Sequence, residues 1–257
     1  MKSRAHIILI LLLLLLTLPF FGFAQDKTAK RHSLKDIDPL ALQVLKAATE
    51  PIHKAQTFSF RALVSVEQLG TNGQMITLFH LTDVTMQRPD KLHLDFLGRG
   101  QKVQLFYKAG ETVLYTPESK LYTTIASPKT IDEMLTDLQK REVFIPVRNF
   151  LASDPYASLT TGLLTGYVIG QVMLFDQPVH QLAFTDAKAE WQLWVVGGEH
   201  PQIRRLEVID KTQEGHPRIV VDFLNWNFNV SPNADLFTFK KPSDAKEIEV
   251  LKVKVAR

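Results

Sequence analysis

Residues 58–96 read FSFRALVSVEQLGTNGQMITLFHLTDVTMQRPDKLHLDF. Phe58, Phe60, Ala62, Val64 and Val66 alternate with Ser59, Arg61, Leu63 and Ser65. Successive side chains of a strand point to opposite faces, so a period of two predicts an extended chain with one apolar face. Gly70-Thr71-Asn72-Gly73 marks a turn. The next run carries Ile76, Leu78, His80, Thr82 and Val84 on one face, and Arg88-Pro89-Asp90 closes it. Leu92, Leu94 and Phe96 then alternate with His93 and Asp95. Three adjoining strands of this kind predict an antiparallel meander.

The same period continues through Val103, Leu105 and Tyr107, through 112–115 and through 120–125. It resumes over 166–174, 180–185, 190–196, 203–210, 218–226 and 236–239, with Gly197-Gly198 and Glu214-Gly215 as hairpin turns. Two segments break it. Asp38-Pro39 reads as a helix cap with proline at the first helical position, followed by Ala41, Val44, Leu45, Ala48 and Ile52 at helical spacing. Proline inside a helix removes a hydrogen bond, so this helix is expected to end or kink at Pro51. An insert at about 127–164 contains a helix over 130–141, with Ile131, Met134, Leu135 and Leu138 on one face, and a second Asp-Pro start at Asp154-Pro155.

The chain opens with Lys2 and Arg4, an apolar stretch from Ile7 to Leu18, Pro19, and small residues ending at Ala24. This reads as an export signal over 1–24, cleaved before Gln25; an uncleaved membrane anchor is the alternative. Residues 25–36 read as a flexible leader, 37–250 as a single domain and 251–257 as a tail. There is no cysteine. A lipoprotein signal and disulfides are therefore excluded, and the core must be apolar. Of the 30 lysines and arginines, removing Lys2 and Arg4 leaves 28 against 27 acidic residues. That balance gives no electrostatic footprint for nucleic acid.

No HExxH pair, GxSxG elbow or glycine-rich phosphate loop is present, so no cofactor, metal or catalytic group is expected. His80 and His93, near Asp83 and Asp95, are the nearest approach to a polar constellation, and cross-strand polar pairs of this kind are common. Trp194 falls on the face opposite Trp191 and Leu193. Trp226, between Asn225 and Asn227, is read as a packing aromatic.

Several segments carry a family resemblance: Arg88-Pro89-Asp90-Lys91-Leu92, the Leu114-Tyr115 to Leu121-Tyr122-Thr123 hairpin, Asp154-Pro155-Tyr156-Ala157, Trp191-Gln192-Leu193-Trp194-Val195 and Phe237-Thr238-Phe239-Lys240-Lys241-Pro242. Over about 37–250 the chain resembles an uncharacterised family of predicted periplasmic proteins. That family in turn resembles the lipoprotein-localisation superfamily, which includes the periplasmic lipoprotein carrier and its outer-membrane receptor. The tryptophan-rich strand is the most specific piece. The middle insert is longer than the carrier's, and no position here matches the carrier's functional arginine.

The resemblance implies an α+β fold, mainly antiparallel: an open, strongly curved half-barrel sheet wrapped around helices, with apolar space between them for acyl chains. Phe58, Phe60, Leu92, Leu94, Phe96, Trp191, Leu193 and Val195 are the candidate lining. The expected occupant is a lipid or a lipidated protein, with no reaction. A filled core would show the same alternation, and the alternative function is a structural or protein-interaction module of the envelope that uses an open sheet edge. The basic ends, with Lys27, Lys30, Arg31, Lys252, Lys254 and Arg257, suit transient contact with a membrane surface or an envelope protein.

Overall fold

The computed structural model describes residues 37–98, 100–140 and 145–248; the expected export signal, leader and C-terminal tail lie outside them. The described chain forms one twelve-stranded open sheet, mostly antiparallel and strongly curved. Two meanders build it. The first comprises β1 (Thr57–Leu69), β2 (Met75–Gln87), β3 (Lys91–Gly98), β4 (Gln101–Lys108), β5 (Glu111–Thr116) and β6 (Leu121–Ala126). The second comprises β7 (Leu163–Leu174), β8 (Gln177–Asp186), β9 (Ala189–Val196), β10 (Gln202–Asp210) and β11 (Arg218–Asn227). The first and last of these strands pair, with Val64 opposite Val221, so β6 and β7 are carried to opposite sides of the sheet.

That topology fixes the path of the insert. The chain leaving β6 must cross the hollow side of the sheet to begin β7. It does so through α2 (Ile131–Lys140), α3 (Arg148–Leu151) and α4 (Pro155–Thr160). The starts of α2 and α4 are written locally. Thr130 and Glu133 cap α2 reciprocally, the Thr130 hydroxyl accepting from the Glu133 amide and the Glu133 carboxylate from the Thr130 amide. The Asp154 carboxylate accepts from the Ala157 amide at 2.8 Å ahead of α4.

The N-terminal helix α1 (Pro39–Lys54) is capped by Asp38, which accepts from the Leu40 amide at 2.8 Å, and it buries Ala41, Leu45, Ala48 and Ile52. It runs through Pro51 to Lys54 rather than ending there. Pro51 lies in the last turn, where one lost bond is cheap, and buried Ile52 holds that turn to the core. The expected strand at 236–239 is instead a short 3-10 turn, Ala234–Phe237. Asn233 caps it by accepting from the Asp235 amide, and Phe237, one of the apolar residues that suggested a strand, is buried from a turn. From there the C-terminal segment crosses the outer face. Phe239 packs against Phe106, Tyr115 and Tyr122, and β12 (Lys246–Glu247) runs parallel to β6 and covers that edge.

Candidate functional site: an apolar cavity in one half of the sheet

The two halves of the concave face differ. Over β8 to β11 the hollow is filled by α1 and by aromatic side chains. Phe184 and Trp191 stack at 4.2 Å between ring centres. Phe60, Phe223 and Trp226 form a cluster with separations of 4.5–5.5 Å, and Phe150 of α3 joins it edge-on at 5.2 Å. Trp226 reaches this cluster because β11 carries an extra residue opposite β1, with Asn225 at φ 54° absorbing the bulge. Its indole N–H donates to the Ile203 carbonyl at 2.9 Å.

Over β1 to β6 the hollow is not filled. A cavity of about 650 Å³ lies between the inward side chains of these strands, the apolar face of α2 and residues 145–147. Its sheet wall includes Phe60, Val64, Val84, Leu92, Leu94 and Phe96, and its helix wall includes Met134, Leu135 and Leu138. The volume is in the range of small-molecule sites, roughly 300–1,000 Å³. Burial deepens from one end to the other. Phe96 is 37% exposed, whereas Phe60, Val84, Leu92 and Leu151 are buried. The mouth is therefore at the Phe96 end. The closed end lies towards Arg88-Pro89, where the Ile131 amide donates to the Pro89 carbonyl at 2.8 Å.

Few polar groups interrupt this lining. Thr112 and Ser127 bond each other through their hydroxyls at 2.7 Å. Tyr107, beneath, donates its hydroxyl to the Pro128 carbonyl at 2.8 Å, and burial pushes its pKa up to about 12. Asp137 enters from α2. His80 and Thr82 enter from β2, and burial holds the His80 imidazole below its ordinary pKa.

The structure divides the eight lining candidates. Phe60, Leu92, Leu94 and Phe96 line the cavity; Phe58, Trp191, Leu193 and Val195 do not and belong to the filled part. The strand register puts these residues on one face, and what stands opposite them differs. Val64, Val84, Leu105 and the α2 residues Met134, Leu135 and Leu138 also line it. Their signal was the shared face with Phe60 and the helical spacing in the insert. Trp194 does lie on the outer face, with the Arg205 guanidinium 5.9 Å from its ring. His80 and His93 share no site. His80 is on the concave face, while His93 is on the outer face, 3.5 Å from Asp95 and 4.7 Å from the Phe106 ring centre. Asp83 is held by Arg61, which donates to both carboxylate oxygens at 2.6 and 2.7 Å.

The chain belongs to the family described as predicted periplasmic protein (DUF2092), whose model matches residues 41–251. LprF from Mycobacterium bovis has a similar fold, with TM-score 0.50 and 14% identity, over 77% of this chain and 98% of that one. An uncharacterised conserved protein from Thermus thermophilus aligns at TM-score 0.45 and 12% identity, over 81% and 98%. A LolA superfamily protein from Nitrosomonas europaea aligns at TM-score 0.36 and 12% identity, over 77% and 97%. No curated protein matches the chain in sequence.

Proposed function

Taking that family as the premise, we propose that the chain is a non-enzymatic carrier or binding protein of the periplasm. It holds the acyl portion of a lipid or of a lipidated partner in the cavity between β1–β6 and α2. One observation carries this reading: an apolar space of about 650 Å³ between the strands β1–β6 and the helix α2. Natural interiors pack at the density of organic crystals, with few voids larger than a water molecule, so a void of this size calls for an occupant. Each methylene taken from water contributes about 0.8 kcal/mol, from which the costs of ordering are subtracted. In this reading residues 1–24 export the chain and are removed. The family is described as periplasmic, and no helix among the described residues is long and apolar enough to cross a membrane.

The test is extraction of the protein, purified from the envelope, with organic solvent, followed by mass spectrometry of the extract. Lipid in near-stoichiometric amount supports the proposal. An empty protein that also fails to bind a fluorescent fatty-acid probe ends it.

A second reading, a protein-interaction module, is favoured by the edge strand β7. Its twelve residues carry no charge, and Tyr167, Ile169 and Met173 are exposed along it. Uncharged apolar edges pair readily with other strands. Cross-linking in the envelope with the native chain and with Ile169→Lys separates the readings: loss of a specific adduct in the variant favours this one.

A further inference from the structure

At the mouth of the cavity, two hydrogen-bonding side chains interrupt the apolar wall. His80 and Thr82 are i and i+2 on β2, so both point into the hollow, with Cα atoms about 6.6 Å apart. Their strand neighbours are apolar or lack a side chain: Val64 and Gly98 flank His80, and Ala62 and Phe96 flank Thr82. The imidazole packs on the Phe96 ring at 4.4 Å between centres. Gly98 makes room for that contact, since a Cβ there would come within 3.0 Å of both the His80 Cβ and the Phe96 ring. Neither the imidazole nor the Thr82 hydroxyl makes a hydrogen bond with another described residue, in contrast to the Thr112–Ser127 pair deeper in the wall.

We propose that His80 and Thr82 form a head-group subsite, and that the occupant is a single-chain amphiphile ending in a carboxyl group, a long-chain fatty acid, with its tail running toward Val84 and Leu92. This rests on the carrier reading above and gives that cavity a ligand class. Three observations carry it. The pair sits at the exposed end of the burial gradient, where a head must lie if the tail is to be dry. It offers two donors, the ring N–H and the hydroxyl, to the two oxygens of one carboxyl group. His80 is also the one basic side chain among the described lining residues, so an ammonium head finds no partner on the sheet wall. The other ionisable group in the lining, Asp137, comes from the helix wall.

The proposal has a consequence that a packing role lacks. Burial alone holds the free imidazole below its ordinary pKa. A carboxylate brought beside it favours the imidazolium and raises that pKa; a neutral head does not.

The experiment uses the full exported chain, stripped of lipid. Palmitic acid, hexadecanol and hexadecylamine compete against a fluorescent fatty-acid probe, and the His80 ring signal is titrated by NMR with each, assigned with His80→Leu. Palmitic acid is expected to displace the probe at a concentration about tenfold lower than hexadecanol, the scale of one charge-assisted hydrogen bond. It should also move the His80 midpoint up by about one pH unit. His80→Leu abolishes the preference for the acid over the alcohol, and Thr82→Val, which removes only the hydroxyl, lowers it. Equal displacement by acid and alcohol, with His80 unmoved, overturns the subsite and leaves the carrier reading standing. Preference for the amine overturns it as well. Failure of the probe itself to bind removes the carrier reading, and the subsite with it.

Discussion

The guanidinium of Arg88, at the end of β2, donates from Nη2 to the carbonyl oxygen of Ala152 at 2.8 Å, joining residues 64 apart in sequence. Its Nη1 donates to the neighbouring Leu151 carbonyl at 3.3 Å. Those carbonyls close α3 and have no helical partner of their own. Arg88 thus ties the insert to the first meander at the closed end of the cavity. Burial pulls its pKa down, partly opposed by the charge of Asp132.

Arg88→Met is therefore expected to destabilise the fold by about 2–4 kcal/mol, from two charge-assisted bonds lost and two carbonyls left bare. Urea unfolding measures the loss. Hydrogen exchange adds the location: protection should fall first in 145–160. Uniform loss across the sheet would mean that Arg88 does not anchor the insert.

The division between hollow and filled halves predicts opposite behaviour for two leucines on the same concave face. Leu94→Trp projects into the cavity and should weaken fatty-acid probe binding by about tenfold or more, roughly 1.4 kcal/mol, with the melting temperature held or raised. Leu193→Ala, at a fully buried position under α1, should cost about 2–5 kcal/mol of stability with probe affinity unchanged. Thermal melts and probe titrations on both variants check this. Weaker binding in Leu193→Ala at a temperature where it remains folded would contradict the separation.

Gly98→Ala tests the mouth. The added methyl must displace the His80–Phe96 contact, because both neighbours lie at 3.0 Å from its position. The backbone there needs no glycine, so the expected stability loss is under about 1 kcal/mol. The expected change is local: new chemical shifts for the His80 ring and altered probe affinity, with the far half of the sheet unperturbed.

Tyr107 sets an alkaline limit. Its pKa in the folded chain is raised to about 12 from an ordinary value near 10. The folded state then keeps its proton where the unfolded chain has lost it. By linkage, this contribution to stability is full below pH 10 and is lost as pH rises toward 12. Tyr107→Phe should flatten the fall in stability over that window, measured by denaturant unfolding from pH 9 to 12. A variant that falls as steeply as the native chain would place the loss elsewhere.

β1 to β11, their inward and outward faces and the starts of α1, α2 and α4 were legible in the sequence itself, whereas the turn at Ala234–Phe237 and the short β12 were not. Period two, period 3.6 and capping residues such as Asp38, Thr130 and Asp154 act over a few neighbouring positions. The sequence placed Phe60, Leu92, Leu94, Trp191 and Leu193 on one face for that reason. It did not show that Phe60 meets Phe223 while Leu94 meets open space. That was decided when β1 paired with β11, which sent the insert across the hollow and left α1 on the far half. Alternation reports the direction in which a side chain points. Whether the space it points into is occupied depends on residues a hundred positions away, and only the folded chain brings them together.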